Sequence, residues 1–254
     1  MGRFVALLAL VVFPALAGFG TAHAGLDEAW RAFSRGDYQL AFAELLPLAE
    51  QNDSNAQFSI AFLYMSGRGV SQDPSEAVKW YRRSAEQGNL SAQTNLGVLY
   101  ETGQGVEKDF AEALKWYRSA ADLGDSTAQY NLGLLHANGR GTLQDPISAV
   151  IWLSRAAEQG HAPAQVTLAL LYANGQGVSQ DFLQAHVWFD IAATREPPTD
   201  EYDTAMMGRK EAAKHLTGDQ IELAKAIARN WGPKQEIPSL RPQSPAIFPP
   251  APRR

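Results

Sequence analysis

The 254-residue chain contains no cysteine. This absence excludes a disulfide framework, a cysteine-based zinc site, a thiol nucleophile and the cysteine that carries a bacterial lipid anchor. The chain also lacks a strong charge of one sign, because 22 basic residues stand against 27 acidic ones for a net charge of −5. We therefore expect no nucleic-acid partner and no attraction to an anionic membrane.

The chain has only one long apolar run, at its start. Arg3 supplies a positive charge, residues 4–18 are almost wholly apolar, and the tripeptide Ala-His-Ala that ends at Ala24 has the small-x-small pattern of a cleavage site. The run of about 15 residues is shorter than the roughly 20 that a helix needs to span a bilayer. These features predict a signal over residues 1–24, cleaved after Ala24, and a periplasmic or secreted protein without a membrane anchor.

Four of the six tryptophans, Trp80, Trp116, Trp152 and Trp188, are 36 residues apart. The same offset relates an alanine, two glycines and an aspartate in every unit, without one insertion or deletion. The recurring residues are Ala56, Ala92, Ala128 and Ala164; Gly67, Gly103, Gly139 and Gly175; Gly69, Gly105, Gly141 and Gly177; and Asp73, Asp109, Asp145 and Asp181. The chain therefore contains four tandem copies of one structural unit.

The second copy indicates that each unit forms two helices. Apolar residues follow a 3.6-residue spacing from Ala92 to Tyr100. Gly103 suits the left-handed position that ends a helix, and Asp109 suits the N-cap of a second helix, where Glu112 could complete a capping box. Stacked helix pairs of this kind form an all-α solenoid, in which each pair buries its apolar face against its neighbours.

A small residue recurs inside the first helix of each unit. Gly97 occupies this position in the second copy, and Ala61, Gly133 and Ala169 are its equivalents. Glycine inside a helix costs about 1 kcal/mol relative to alanine. The uniform smallness therefore predicts a close approach to another helix.

These residues form one consensus, A-x-x-x-L-G-x-x-Y-x-x-G-x-G-V-x-x-D-x-x-x-A-x-x-W-Y-x-x-A-A-x-x-G. Residues 92–124 match it nearly in full, and residues 56–88, 128–160 and 164–193 match it with a few changes. The consensus resembles the Sel1-like repeat, a 36-residue relative of the tetratricopeptide repeat. The resemblance covers about 140 residues and implies an α/α superhelix of tetratricopeptide-like helix pairs that serves protein–protein interaction.

The repeats also predict the domain boundaries. Glu196 stands where the fourth copy should have its closing glycine, and two prolines follow, so the array is expected to end there. Residues 233–254 hold 7 of the 14 prolines, which is typical of a disordered or polyproline-II tail. The predicted segments are a signal over 1–24, an N-terminal tetratricopeptide-like capping helix pair over 25–54, repeats over 55–90, 91–126, 127–162 and 163–196, C-terminal capping helices over 199–232, and the tail over 233–254.

The residues that could carry chemistry have simpler structural explanations. The loop Gly67-Arg68-Gly69 is not followed by Gly-Lys-Ser/Thr or by a third glycine, and it recurs between helices rather than after a strand. No nucleophile motif is present, and the repeated aspartates are explained as helix caps. The histidines beyond the predicted signal lie at unrelated positions of different units: His136, His161, His186 and His215. We therefore predict no catalytic residue, no cofactor and no metal.

The family resemblance identifies candidate binding residues. In the tetratricopeptide relative, a Leu-Gly-x-x-Tyr motif fixes which side chains face the concave groove, and Leu96, Gly97 and Tyr100 carry it here. The implied partner-binding groove consists of Phe58, Phe62, Met65, Thr94, Val98, Glu101, Tyr130, Leu134, Asn138, Val166, Leu170 and Asn174. Large aromatic and methionine side chains suit peptide capture. For Leu134 and Leu170, packing between adjacent first helices is an equally good explanation.

The tail differs in charge from the rest of the chain. It carries Lys234, Arg241, Arg253 and Arg254 against Glu236, a net charge of +3, whereas the remainder is acidic. One hypothesis is that this basic tail docks in the protein's own groove or tethers a partner. A solvated tail without a partner is the alternative.

Together these features predict a monomeric, extracytoplasmic scaffold or adaptor that binds a protein or peptide in its groove and performs no chemistry. Proteins similar to it act as periplasmic regulators of envelope sensor kinases, as assembly factors for polysaccharide export, or as secreted factors that engage host proteins. The missing cysteine argues against a lipid-anchored export component. The alternative is an envelope enzyme of the penicillin-binding or β-lactam-hydrolysing type, which some cysteine-rich relatives resemble, although no nucleophile–base pair can be named here.

Overall fold

A computed structural model of the chain describes residues 18–194 and 201–233, with side chains from residue 26 onward. Within these residues the chain forms twelve helices and no strand, and the predicted all-α solenoid of helix pairs is confirmed. The helices are α1 Gly18–Ser34, α2 Tyr38–Glu50, α3 Ser54–Ser66, α4 Pro74–Glu86, α5 Leu90–Thr102, α6 Phe110–Asp122, α7 Ser126–Asn138, α8 Pro146–Glu158, α9 Ala162–Asn174, α10 Phe182–Ala193, α11 Tyr202–Ala213 and α12 Gly218–Asn230.

Two predicted segments lie partly or wholly outside the described residues. The tail from residue 234 onward and the signal up to residue 17 are not described. Helix α1 begins at Gly18 and continues through the predicted cleavage position at Ala24. No helix among the described residues is both long and apolar enough to cross a membrane.

The repeated aspartates cap the second helix of each pair. Their side chains accept hydrogen bonds from backbone N–H groups of the first helical turn, which satisfies donors that the helix itself leaves open. The expected capping box is not formed by Glu112, because the Asp109 N–H that it would accept from donates to the Tyr100 carbonyl at 2.9 Å. A reciprocal capping box forms instead at the start of α12, between Thr217 and Gln220.

The second glycine of each loop lies against the preceding helix pair. Gly141 has a φ of 71°, and a Cβ atom at this position would overlap the carbonyl oxygen of Phe110, the first residue of α6. The same relation holds for Gly69 with Tyr38, Gly105 with Pro74 and Gly177 with Pro146. Glycine is therefore required at this position for two reasons. It adopts the left-handed backbone conformation without strain, and it has no side chain that would collide with the carbonyl.

The predicted close approach at the small residue of the first helix is confirmed. A Cβ atom at Gly97 would lie 2.6 Å from the ring of Tyr117, and one at Gly133 would lie 2.8 Å from Cγ of Leu153. Both neighbours are fully buried side chains of the second helix in the same repeat. The small residue thus lets a large side chain fill the space between the two helices of a pair.

The described helices belong to two compact units. The first contains α1 to α4, and the second contains α6 to α12 together with residues 93–102 of α5. The core of the second unit is divided into clusters, one of which joins α8 to α9 through Ala149, Leu153 and Leu168. Each cluster involves only helices that are close in sequence, as expected for cores formed in series along a repeat array.

The last two helices cover apolar faces of the fourth repeat. Ala205 and Ala212 of α11 pack in a cluster with Val166 of α9 and Phe189 of α10. Ala224 and Ala228 of α12 pack in another cluster with Val187 and Ile191 of α10. Helix α10 is therefore buried on two sides, unlike a helix with one apolar stripe.

Candidate partner-binding face

The twelve predicted groove residues lie on the first helices of the four repeats, α3, α5, α7 and α9. Their side chains differ widely in solvent exposure, although equivalent positions of a regular repeat would be expected to have similar exposure. Thr94 and Val166 are buried; Phe58, Phe62, Met65, Glu101, Tyr130 and Leu134 are half-buried; and Val98, Asn138, Leu170 and Asn174 are exposed.

In the first unit, the aromatic candidates pack against their own unit. The ring of Phe58 lies edge-on to Tyr81 of α4, with 5.6 Å between centroids. The ring of Phe62 lies 6.0 Å from that of Phe33 on α1, and the guanidinium of Arg68 lies 5.8 Å from the Phe62 centroid. Aromatic pairs at these separations stabilise the fold, so α1 extends the repeat core over Phe62.

In the second unit, the first candidate position of each helix is a packing position. Thr94 Oγ1 donates to Asp125 Oδ1 at 3.2 Å, and Asp125 in turn accepts the Ala128 N–H at 2.7 Å as N-cap of α7. Burial raises the pKa of the Asp125 carboxyl. Tyr130 lies against the His161 ring at 4.8 Å, and Val166 is only 6% exposed. These side chains hold neighbouring repeats together.

The next position along each helix forms an open apolar surface. Val98 is 37% exposed on α5, Leu134 is half-buried on α7, and Leu170 is 41% exposed on α9. All three lie in the second unit and occupy the same place in consecutive repeats. We call Val98, Leu134 and Leu170 the aliphatic row. Val98 and Leu170 are thus the exposed apolar candidates, whereas the aromatic candidates are half-buried.

Glu101 lies on α5, one turn beyond Val98 of the aliphatic row, and two neighbouring side chains fix its carboxylate in place. Tyr117 Oη donates to Glu101 Oε2 at 2.9 Å, and Arg140 approaches Glu101 Oε1 at 3.8 Å. Burial, followed by the negative charge of Glu101, raises the pKa of the Tyr117 hydroxyl, so this hydroxyl stays protonated as a donor. Glu101 thus presents an oriented carboxylate whose side chain remains 27% exposed.

Polar side chains end each first helix. Asn138 Nδ2 donates to the Leu134 carbonyl at 2.9 Å, as the hydroxyl of Thr102 does to the Val98 carbonyl at 2.8 Å. Asn138 and Asn174 are equivalent to Thr102 rather than to Glu101, whose equivalents are Met65, Ala137 and Ala173. Their exposed amides flank the aliphatic row with hydrogen-bonding groups.

A row of buried glutamines was not found from the sequence. Gln129 is 1% exposed; its Nε2 donates to the Ala121 carbonyl at 3.1 Å, and its Oε1 accepts from Gln159 Nε2 at 2.8 Å. Equivalent bonds run from Gln57 to Ala49, from Gln87 to Gln57 and from Gln165 to Ala157. The 36-residue spacing of Gln57, Gln93, Gln129 and Gln165 is the signal that could have revealed them.

The histidines have structural surroundings. His136 replaces the tyrosine of the other repeats and is 6% exposed, with Nε2 3.1 Å from Arg118. Burial, with a further contribution from Arg118, lowers its pKa. Burial likewise lowers the pKa of His186 on α10. Among the described residues, no three metal-binding side chains come together.

The fold and this face define an α/α repeat protein that is built from consecutive helix pairs. The family model of the Sel1 repeat matches residues 54–89, 90–125, 126–161 and 162–196. The match covers more than half of the chain, so the chain belongs to the Sel1 repeat family. Sel1 repeats generally mediate protein–protein interactions, and proteins of this family are generally non-enzymatic scaffolds.

Two solved structures are similar to the chain. One is c5321, described as a protective antigen present in uropathogenic Escherichia coli strains and displaying an SLR fold. It is 35% identical with a TM-score of 0.73 over 83% of this chain, which spans only 45% of that protein. The other is a Sel1 repeat protein from Oxalobacter formigenes, 30% identical with a TM-score of 0.67 over 82% of each chain. No curated protein matches the chain.

Proposed function

We propose that the protein is an extracytoplasmic scaffold or adaptor that binds an apolar segment of another protein along the aliphatic row. The observation that carries this proposal is the exposure of Val98 and Leu170, at 37% and 41%, at the same position of different repeats. Large aliphatic side chains exposed in register along an array are typical of interaction surfaces.

The geometry of the row defines the partner's chemistry. Helices that pack side by side lie about 8–10 Å apart, and an extended chain rises about 3.3 Å per residue. A bound segment should therefore place an apolar side chain over the row about every third residue. The exposed amides of Asn138 and Asn174 supply donors and acceptors for its backbone, and Glu101 favours a basic residue near Val98.

The proposed location rests on the N-terminal pattern of one positive charge, an apolar run of about 15 residues and a small-x-small site. Similarity to a protein described as a protective antigen is in keeping with it. A role as a regulator of envelope signalling or as a secreted host-interaction factor would fit the same location and the same face.

The location can be tested separately. Cell fractionation followed by N-terminal analysis of the mature protein should find it outside the cytoplasm, beginning at Gly25. A protein that keeps residues 1–24 and stays in the cytoplasm would contradict this part of the proposal while leaving the binding face untouched.

The binding face can be tested by site-specific crosslinking in cells. A photoreactive amino acid at Leu170 should give a defined crosslinked species that is absent when the same group replaces Lys115, an exposed residue on α6. Leu170→Asp should then weaken the purified partner's binding about tenfold or more, the loss expected for an interface anchor, whereas Lys115→Asp should not. Identical crosslinks from both positions, or unchanged affinity of the Leu170→Asp protein, would refute the proposal.

A further inference from the structure

The outer side of the third repeat carries an exposed apolar patch. Ile147 and Ile151, one turn apart on α8, are 65% and 48% exposed, and Leu143 in the loop before α8 is 88% exposed. We call Leu143, Ile147 and Ile151 the α8 patch. Large aliphatic side chains exposed within nine residues of sequence mark a surface on which another segment or another protein packs.

The fourth repeat shows what covers these positions. Leu183 and Val187 on α10 are the 36-residue equivalents of Ile147 and Ile151. Val187 is only 4% exposed because α12 packs over it, and Leu183 packs against the same cluster. At this place in the repeat, large aliphatic residues thus lie under another segment of the same chain.

The first two repeats show the opposite case. Their residues at the same two positions are Ser75 and Lys79 on α4, and Ala111 and Lys115 on α6. All four are exposed. The residue type therefore follows the covering, being small or charged where the surface is open and aliphatic where a helix lies on it. The third repeat has the aliphatic residues, but the described residues leave them uncovered.

The described chain ends close to a side chain that packs against the core cluster of α8 and α9. Trp231, at the end of α12, lies edge-on to Trp188 of α10, with 6.2 Å between ring centroids. Trp188 also packs against the cluster that contains Ala149 and Leu153 of α8. The chain therefore leaves the described structure at Pro233, two residues after a tryptophan that contacts α8 and α9 only through Trp188.

The residues that follow have the length and the composition to cover the patch. Residues 234–254 could reach about 65 Å in a polyproline-II conformation, at about 3.1 Å per residue, whereas adjacent helix axes are only about 8–10 Å apart. They include Ile237, Leu240, Ile247 and Phe248 among prolines that restrict the backbone. Because proline-rich segments lose little entropy on binding, they suit docking on apolar surfaces.

We propose that residues 234–254 dock on the α8 patch of the same chain. The apolar residues of this segment cover the patch as α12 covers the equivalent face of α10. Since the patch lies on a second helix, the docked segment leaves the aliphatic row on the first helices open to a partner. The segment thus shields one apolar surface rather than competing for the other.

Disulfide trapping tests this proposal, and it is unambiguous because the chain has no cysteine of its own. The full-length protein with Ser154→Cys, one turn beyond Ile151, would be paired with Ser239→Cys or Ser244→Cys in two separate variants. The matched control is Lys115→Cys with the same tail cysteine. The intramolecular disulfide should form at least about tenfold faster with Ser154→Cys, because docking raises the effective concentration of the two thiols.

A second variant distinguishes docking from simple proximity. Ile147→Ser with Ile151→Lys gives the third repeat the residues that the first repeat carries at these positions, so the fold should be retained, as circular dichroism would verify. This double substitution should reduce the trapping rate to that of the Lys115→Cys control. Equal rates for both pairs, or a rate that the double substitution leaves unchanged, would overturn the proposal. Sedimentation offers another result that would overturn the proposal. If the protein is a dimer that the double substitution dissociates, and that removal of residues 234–254 leaves intact, then a second copy of the chain covers the patch.

Discussion

The hydrogen bond between Gln159 and Gln129 gives the sharpest test of how the two helices of the third repeat are held together. Replacing Gln159 with leucine removes the amide that donates to Gln129 Oε1 at 2.8 Å, while Gln129 remains 1% exposed. The lost bond costs about 1 kcal/mol, and an acceptor left buried without a donor costs about 1–3 kcal/mol. Gln159 is itself half-buried, so water can reach the gap, and we expect a total of about 1–2 kcal/mol.

This loss can be measured as a change in thermal and urea unfolding. For a chain of this length, each kcal/mol lowers Tm by about 2–4 °C, so the Gln159→Leu protein should melt about 2–8 °C below the parent. Hydrogen exchange should locate the loss in α7 and α8, because a repeat array can open locally. A control is Gln176→Leu in an exposed loop, which should change stability by less than about 0.5 kcal/mol.

The same reasoning predicts a gain at the equivalent place in the second repeat. Leu123 occupies the position of Gln87 and Gln159 and is 62% exposed. Leu123→Gln should supply the amide that the neighbouring repeats use and stabilise the protein by about 0.5–1.5 kcal/mol. The assigned role of the glutamine row would be refuted if Gln159→Leu were neutral, or if it were no more destabilising than Gln176→Leu.

Two further changes test the loops and the buried histidine. Chemical denaturation should show that Gly141→Ala destabilises the protein by at least about 2 kcal/mol more than Gly88→Ala. Both positions have positive φ, but only Gly141 lies against a carbonyl, that of Phe110. Equal losses of stability would show that this contact is unimportant. The lowered pKa of His136 means that the unfolded chain binds more protons, so its contribution to stability is complete above about pH 6.5 and is lost as the pH falls toward the lower native pKa. His136→Tyr should therefore reduce the loss of stability between pH 7 and pH 5, and an unchanged pH profile would contradict this.

The sequence predicted local features well because their causes are local. Asp109 caps a helix through bonds to residues two and three positions ahead, and Gly103 needs only its own backbone freedom. A 36-residue period then repeats these signals four times. The helix order and the helix ends followed from them to within a few residues.

The accessibility of the candidate binding residues could not be predicted in the same way, because it depends on elements outside the repeats. Phe62 is packed by Phe33 of α1, and Val166 lies under Ala205 of α11. Neither covering residue belongs to the repeat pattern. The repeat motif places the candidates on the first helices of the repeats, but only tertiary packing separates the covered positions from Leu170.

The contact between each loop glycine and the preceding helix pair limits how this kind of protein can change in length. Because Gly141 rests on the carbonyl of Phe110, one residue added between them would displace every later unit. A complete block of 36 residues brings its own glycine and its own carbonyl, so its gain or loss leaves the remaining contacts intact. Growth by whole blocks would thus lengthen the candidate binding surface in fixed steps, with one more position of the aliphatic row for each block.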